Sequence, residues 1–502
     1  MSKQVSRNLG SSPTRGLACT GALLALTFAA AGVAQAQTAT SAPAPAKAED
    51  SSLTWHGITL YGIVDIGIQY DTHSAPFSDY FPAVTGALLQ KNAYDSPIGL
   101  SSNNLSQSRI GLSGNEPLWG DWAGVFRLET FFNPHSGDIS DALKSVALNN
   151  GKKVTEQQVG VDSSVSGQLF GGAAYLGLAS PTVGSFTFGR NVTLVADGIS
   201  KYDPMGAAQA FSVIGYSGTA AGGGDTEDRR LDQSFKYVGK YGPIHLGALY
   251  QFGSYSGSKD TAYQFQLGFE AAGLSADAYY FKKYNAISVS ALSAAQVTDV
   301  SQTCSGTLVP PNPNVACVSI NTAVSGTVSD NETYMITGLY NFGAALPLKL
   351  YAGYEHIAFN NPTNPLPPGT TIIGGYQLAV VNVQDGPKSN FANQKTLQVA
   401  WAGLKWNFTP DFEFTVAGYG YKQNNYAFSA AEVTACNTKK SSNGKCDGTL
   451  YAVSGLLDYK LTKRFDLYGG VFYNGVRDGL ANGYLPDAKT NIATTLGARF
   501  KF

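Results

Sequence analysis

The sequence predicts an all-β fold: a transmembrane antiparallel β-barrel of 16 strands with long outer loops. Three observations predict it. The chain opens with an export signal, period-two strands recur along the rest, and short turns alternate with long connections. The export signal comes first. Lys3, Arg7 and Arg15 give a basic start, an Ala/Leu-rich stretch runs from Leu17 to Ala31, and Ala34-Gln35-Ala36 forms a small-x-small cleavage site. Residues 1–36 therefore read as a signal peptide, and Thr/Ala/Pro/Ser-rich residues 37–52 as a flexible leader. The barrel is expected over 53–502.

Only 14% of the residues are charged, against 57 glycines, 28 tyrosines and 26 phenylalanines, while soluble domains average about 25% charged. No second stretch is long and apolar enough for a helical span. An exported chain of this composition has one lipid-compatible architecture, since only a closed barrel pairs every strand N–H and C=O without water. Removing the three basic residues of the signal takes the formal net charge from −1 to about −4, which argues against a nucleic-acid partner.

The first strand falls near 57–70. Ile58, Leu60, Val64, Ile66 and Ile68 share one side; Thr59, Tyr61, Asp65 and Gln69 share the other. Further strands are read near 105–114, 122–132, 172–180, 183–191, 230–239, 243–253, 261–271, 273–283, 331–343, 347–358, 394–408, 411–424, 448–461, 463–475 and 491–502. Strands two and three, four and five, and each later pair to fourteen and fifteen join by short turns such as Ser180-Pro181-Thr182, Tyr241-Gly242-Pro243 and Thr409-Pro410. The intervening connections 71–104, 133–171, 192–229, 284–330, 359–393 and 425–447 are long. Short turns at one end and long loops at the other mark a bacterial outer-membrane barrel; a soluble sandwich has no reason to alternate them. Within 261–271, Tyr263, Phe265, Leu267 and Phe269 alternate with Gln264, Gln266 and Glu270, an apolar lipid face against a polar lumen face. Tyr280, Trp401, Trp406 and Tyr468 suit interfacial girdles, or equally packing.

Several segments resemble the trimeric general-diffusion porins of Gram-negative bacteria, especially their beta-proteobacterial branch. They are Thr59-Leu60-Tyr61-Gly62-Ile63-Val64-Asp65; Ser108-Arg109-Ile110-Gly111-Leu112-Ser113-Gly114-Asn115-Glu116 through Gly120 to Phe126-Arg127-Leu128-Glu129; Ala174-Tyr175-Leu176-Gly177-Leu178; and Phe186-Thr187-Phe188-Gly189-Arg190. Arg230 to Tyr237, Asp458 to Arg464 with Leu467-Tyr468, and the terminal Leu496 to Phe502 complete the series. The resemblance covers the barrel, not the loops. It departs where the family usually has a basic residue leading strand four, since Gly171-Gly172 stands here. It implies a homotrimer in the outer-membrane lipid, forming a water-filled channel for passive diffusion of ions and small hydrophilic solutes. A substrate-specific channel for small sugars or organic acids on the same barrel is the alternative.

A pore selects by radius and by the field inside it. Arg109, Arg127 and Glu129 fall opposite apolar neighbours, as do Arg230, Asp232 and Lys236, so all six are expected on the lumen wall. Eight arginines remain after the signal, and the resemblance adds that Arg109 and Arg230 match basic constriction positions. It also implies that one loop, 192–229, is folded into the lumen and narrows the pore. That loop carries Asp197, Asp203, Asp225, Glu227 and Asp228 against Lys201 and Arg229, so an acidic loop would face a basic wall. A net charge near −4 leans toward mild cation preference, although most of those charges fall in predicted outer loops. Arg190 has outward parity. By family analogy the 133–171 loop of a neighbouring subunit reaches it; snorkelling to the headgroups is the other reading.

Four cysteines follow the signal. Nearest-neighbour pairing gives Cys304–Cys317 and Cys436–Cys446 in an oxidising compartment, each disulfide closing a small loop worth about 3 kcal/mol. None makes a C-x-x-C pair, and His56, His73, His135, His245 and His356 are scattered. With no G-x-S-x-G elbow or H-E-x-x-H helix, a channel rather than an enzyme is expected, with no cofactor or metal. In the resembled family, a terminal aromatic such as Phe502 is read by the barrel-assembly machinery.

Overall fold

Period-two patterning with the polar side inward can be satisfied only if the sheet returns to its own first strand, and it does. The structure, a computed structural model, describes residues 53–73, 96–139, 169–214, 229–253, 261–284, 288–289, 326–327, 330–360, 394–425, 447–481 and 489–502. The strands are β1 (Ile58–Asp71), β2 (Arg109–Pro117), β3 (Ala123–Phe131), β4 (Ala173–Ser180), β5 (Gly184–Val192), β6 (Arg230–Tyr241), β7 (Ile244–Gln251) and β8 (Ala262–Ala271). They continue as β9 (Leu274–Lys283), β10 (Asp330–Asn341), β11 (Leu348–Asn360), β12 (Lys395–Trp406), β13 (Phe412–Gln423), β14 (Gly448–Lys460), β15 (Phe465–Asp478) and β16 (Thr490–Lys501). Every neighbour is antiparallel, and β16 closes on β1 from Ile63↔Lys501 to Asp71↔Ala493.

The second wall position is split. β2 pairs with the lower half of β1, and a short strand, Ile98–Ser102, pairs with the upper half. The strand expected from residue 105 thus begins at Arg109. The cause is Asp65: its carboxylate accepts from the backbone N–H groups of Leu105 (2.9 Å) and Ser106 (2.7 Å), drawing the break inward.

The apolar side faces out: Leu267 is 60% and Leu496 63% exposed, while Asp65, Gln264, Asp277, Thr333 and Thr495 on the opposite parity are buried. Aromatic rims mark both ends of this outer surface. At the short-turn end Phe408, Phe412 and Tyr459 stack in series, as do Trp122, Phe186 and Phe235. Tyr263, Tyr280 and Tyr334 cluster at the other end. Trp406 belongs to the outer rim, but Trp401 and Tyr468 do not. Both are buried inside, where each has found a hydrogen-bond partner. The turn between β8 and β9 is the two-residue mirror type, with Ala272 (φ 51°) and Gly273 (φ 83°) both left-handed.

Inside the ring lies the one long helix of the described residues, α1 (Leu194–Tyr202). Thr193 caps it, its hydroxyl accepting from the Ala196 N–H. Gln264 of β8 accepts from the N–H groups of Leu194 (2.6 Å) and Val195 (3.3 Å), so the inner wall supplies the acceptors that a helix start lacks. Gly198 is required because a Cβ there would run into the Tyr279 ring. The expected signal peptide and leader, and the four cysteines expected to pair, lie outside the described residues.

Candidate functional site

Two sets of side chains meet in the lumen: a wall cluster on β1–β6, and the segment 194–214 that crosses from β7–β9 to the far wall. In the wall cluster Glu129 of β3 is the hub. Arg127 Nη2 lies 2.6 Å from its Oε2 and Arg109 Nη1 3.6 Å from its Oε1. The Tyr61 hydroxyl donates to the same carboxylate and accepts from Arg127 Nε at 2.7 Å. Arg230 lies over the Phe131 ring, its guanidinium carbon 4.7 Å from the centroid, and donates to the Gly172 carbonyl at 2.8 Å. The Gly171-Gly172 departure has a reason here: a Cβ at Gly172 would collide with the Glu129 carboxylate. The absent side chain makes room for the one acid that three arginines surround.

Across the lumen the chain is pinned at intervals. Trp401 Nε1 donates to the Tyr202 carbonyl (3.0 Å), and Pro204 packs on Gly403, where a side chain would not fit. The Ala210 N–H donates to the Asn104 carbonyl (3.0 Å), and Phe211 meets Tyr468 edge-on. These contacts involve β12, β15 and the break before β2, while Asp277 of β9 and Tyr419 of β13 also hold the segment, so it spans the interior rather than lining one side.

The acids of this segment are not bare charges facing the arginines. Asp197 pairs with Lys236 of β6 at 2.5 Å, and Lys236 also donates to the Val192 carbonyl. Burial pushes the Asp197 carboxyl up, opposed by Lys236 and then by Arg229 and Arg127. Asp203 is buried and organises its own turn, accepting from the N–H groups of Met205 (3.1 Å) and Ala207 (2.9 Å) and from the Tyr419 hydroxyl (2.7 Å). Burial pushes its carboxyl up as well, with the hydroxyls of Ser212 and Tyr419 opposing. Its oxygens are thus committed to the segment's own turn and to β13. Lys201 is matched by Asp277 of β9 at 3.2 Å. Asp225, Glu227 and Asp228 lie outside the described residues.

Asp232 and Arg190 are placed differently from the parity argument. A bulge sets Asn191 opposite Leu231 but Gly189 opposite Ser234, and Gln233 takes a left-handed φ of 48°. The extra residue breaks the alternation that aligned Asp232 with Arg230 and Lys236. Asp232 instead pairs with Arg190 at 2.5 Å, and Arg190 also donates twice to the Gly171 carbonyl. Arg190 is 7% exposed. Its charge is met within its own chain.

A second charged belt, missed in the sequence reading, covers the short-turn ends of β11–β16. Lys405 and Lys460 lie 3.1 and 3.8 Å from Glu413, and Arg499 and Lys501 lie 2.7 and 2.9 Å from Asp466. The parity signal was there: Arg499 and Lys501 alternate with the outward Phe500. Phe502 exchanges two backbone hydrogen bonds with Gly62, and its ring lies against that glycine.

Comparison with known proteins adds three findings. Residues 22–479 match the family model described as Gram-negative porin. An outer membrane porin protein of Bordetella pertussis is 28% identical over 218 residues, 43% of this chain and 47% of that relative, so the match spans about half of the relative's length. Among solved structures, the anion-selective porin from Comamonas acidovorans superposes with a TM-score of 0.54 at 17% identity, covering 89% of this chain and 99% of that one. A loop-deletion mutant of OmpT, an outer membrane protein of Vibrio cholerae, does so with a TM-score of 0.50 at 14% identity, covering 89% and 99%. At these identities the two structures speak for the fold.

Proposed function

The chain belongs to the Gram-negative porin family, and from that premise we propose that it forms a water-filled channel for passive diffusion of ions and small hydrophilic solutes, with a preference for anions. The outer membrane is its location, and the closed barrel with an apolar outer belt suits it.

One observation carries the anion preference. Arg109, Arg127 and Arg230 gather round a single carboxylate, Glu129, while the described acids of the crossing segment are already engaged. The wall therefore carries surplus positive charge beside the segment that narrows the lumen. This reverses the mild cation preference suggested by net charge, because net charge counts residues far from the ion path. Potentials from such charges fall off within about 10 Å at 0.1 M salt. Reversal potential of the purified protein in a KCl gradient tests the reading: an anion-preferring sign is expected, and a cation-preferring sign overturns it.

The working unit of this proposal is a homotrimer in outer-membrane lipid, inserted by the barrel-assembly machinery with Phe502 as the terminal aromatic. A subunit contact at Arg190 then acts through the Arg190–Asp232 pair rather than through a bare guanidinium. Native mass measurement in detergent checks the trimer.

A further inference from the structure

The short-turn ends of β11–β14 hold a basic cluster that the arginine wall does not account for. Lys349 of β11 and Lys405 of β12 are direct cross-strand partners. Their parity is inward, shared with buried Tyr351 and Trp401. Lys405 and Lys460 both lean on Glu413, the only carboxylate among the described residues within ion-pair distance of either, and none lies within that distance of Lys349. Glu413 is covered, its side chain 9% exposed, while those of Lys405 and Lys460 are 22% and 16% exposed. Two ammonium groups thus share one sunken carboxylate, and a third, Lys349, stands directly across the strand pair from Lys405 without one. Like charges directly opposite across a strand pair are destabilising, and an anion seated among them would relieve that repulsion.

We propose that Lys349, Lys405 and Lys460 hold a doubly charged oxyanion, of the phosphate or dicarboxylate class, at the short-turn mouth of the channel. The site rests on the anion-preferring reading and extends it: solutes meet two basic stations in series, the arginine wall and this trio. Two uncompensated charges select for a dianion over a monoanion. Ammonium groups, with three donors each on flexible stems, can close round a tetrahedral or extended oxyanion without a fixed fork.

The test is block of the chloride current through single channels by inorganic phosphate at mildly alkaline pH in about 0.1 M KCl, where fields reach about 10 Å. Lys349→Gln and Lys405→Gln are each expected to raise the half-blocking phosphate concentration about thirtyfold, the worth of one unit charge facing a doubly charged anion at about 4 Å in a water-like medium. Glu413→Gln is expected to lower it, and Lys349→Arg to preserve it, which a merely structural role would not do. Unchanged block in both glutamine variants overturns the proposal, as does equal block by acetate. If the wild type prefers cations in a KCl gradient, the general reading fails. If it prefers anions but the lysine variants block normally, only this site fails.

Discussion

Glu129 shows how one acid sets the character of a wall. It is 2% exposed and bonded to Tyr61 and Arg127, so it fixes the guanidinium groups in place more than it cancels them. Arg109 is the more loosely held of the two paired arginines, and Arg109→Ala is expected to move the reversal potential toward cations by several millivolts. No shift, or a shift the other way, would take Arg109 off the ion path. Asp197 supplies a pH prediction. Its carboxyl is raised by burial, so on acidification it binds a proton before an ordinary aspartate does, and Lys236 then loses its counter-charge. Anion preference should therefore strengthen as pH falls from neutral. In Asp197→Asn the same titration should give a smaller change.

The crossing segment is the element proposed to govern permeability. It holds its shape through wall acceptors and donors supplied from strands far apart in sequence: Gln264, Trp401, Tyr419 and Asn104. Replacing 195–226 by a short linker is expected to raise single-channel conductance, and an unchanged conductance would remove this segment from the constriction. A milder variant, Gln264→Leu, strands two N–H groups at the start of α1 at a cost of about 1–3 kcal/mol each. Its expected signature is added open-channel noise with the strands intact by circular dichroism.

At the scale of the whole molecule, closure between β1 and β16 joins the two ends of the described chain, with Phe502 over Gly62. If Phe502 is also the residue that the assembly machinery reads, Phe502→Ala should lower the yield of inserted barrel in cells several-fold. Refolding into detergent in vitro, which bypasses that machinery, should change much less. The paired cysteines proposed for the outer loops are tested separately: thiol labelling of unreduced, denatured protein should find no free thiol among Cys304, Cys317, Cys436 and Cys446.

The sequence by itself determined the barrel, its sixteen strands and which side of most strands faces lipid. Alternation is a local property: a strand with Leu267 and Phe265 on one parity and Gln264 and Gln266 on the other has one workable orientation in a membrane. Strand ends followed for the same reason, since turn residues act over a few positions. What failed locally failed where alternation breaks. The bulge at Asp232–Gln233 pairs Asp232 with Arg190 rather than with the Glu129 cluster, and the pull of Asp65 on residues 105–106 shortened β2. Trp401 and Tyr468 suited girdle or packing roles equally, and their burial inside the ring decided for packing. Only the tertiary structure decided which charges neutralise each other, because Lys236 with Asp197, Lys201 with Asp277 and Lys405 with Glu413 are brought together by closure and by the chain crossing the lumen. A pore's field is the residue left after those cancellations, and cancellation depends on distances that no linear pattern encodes.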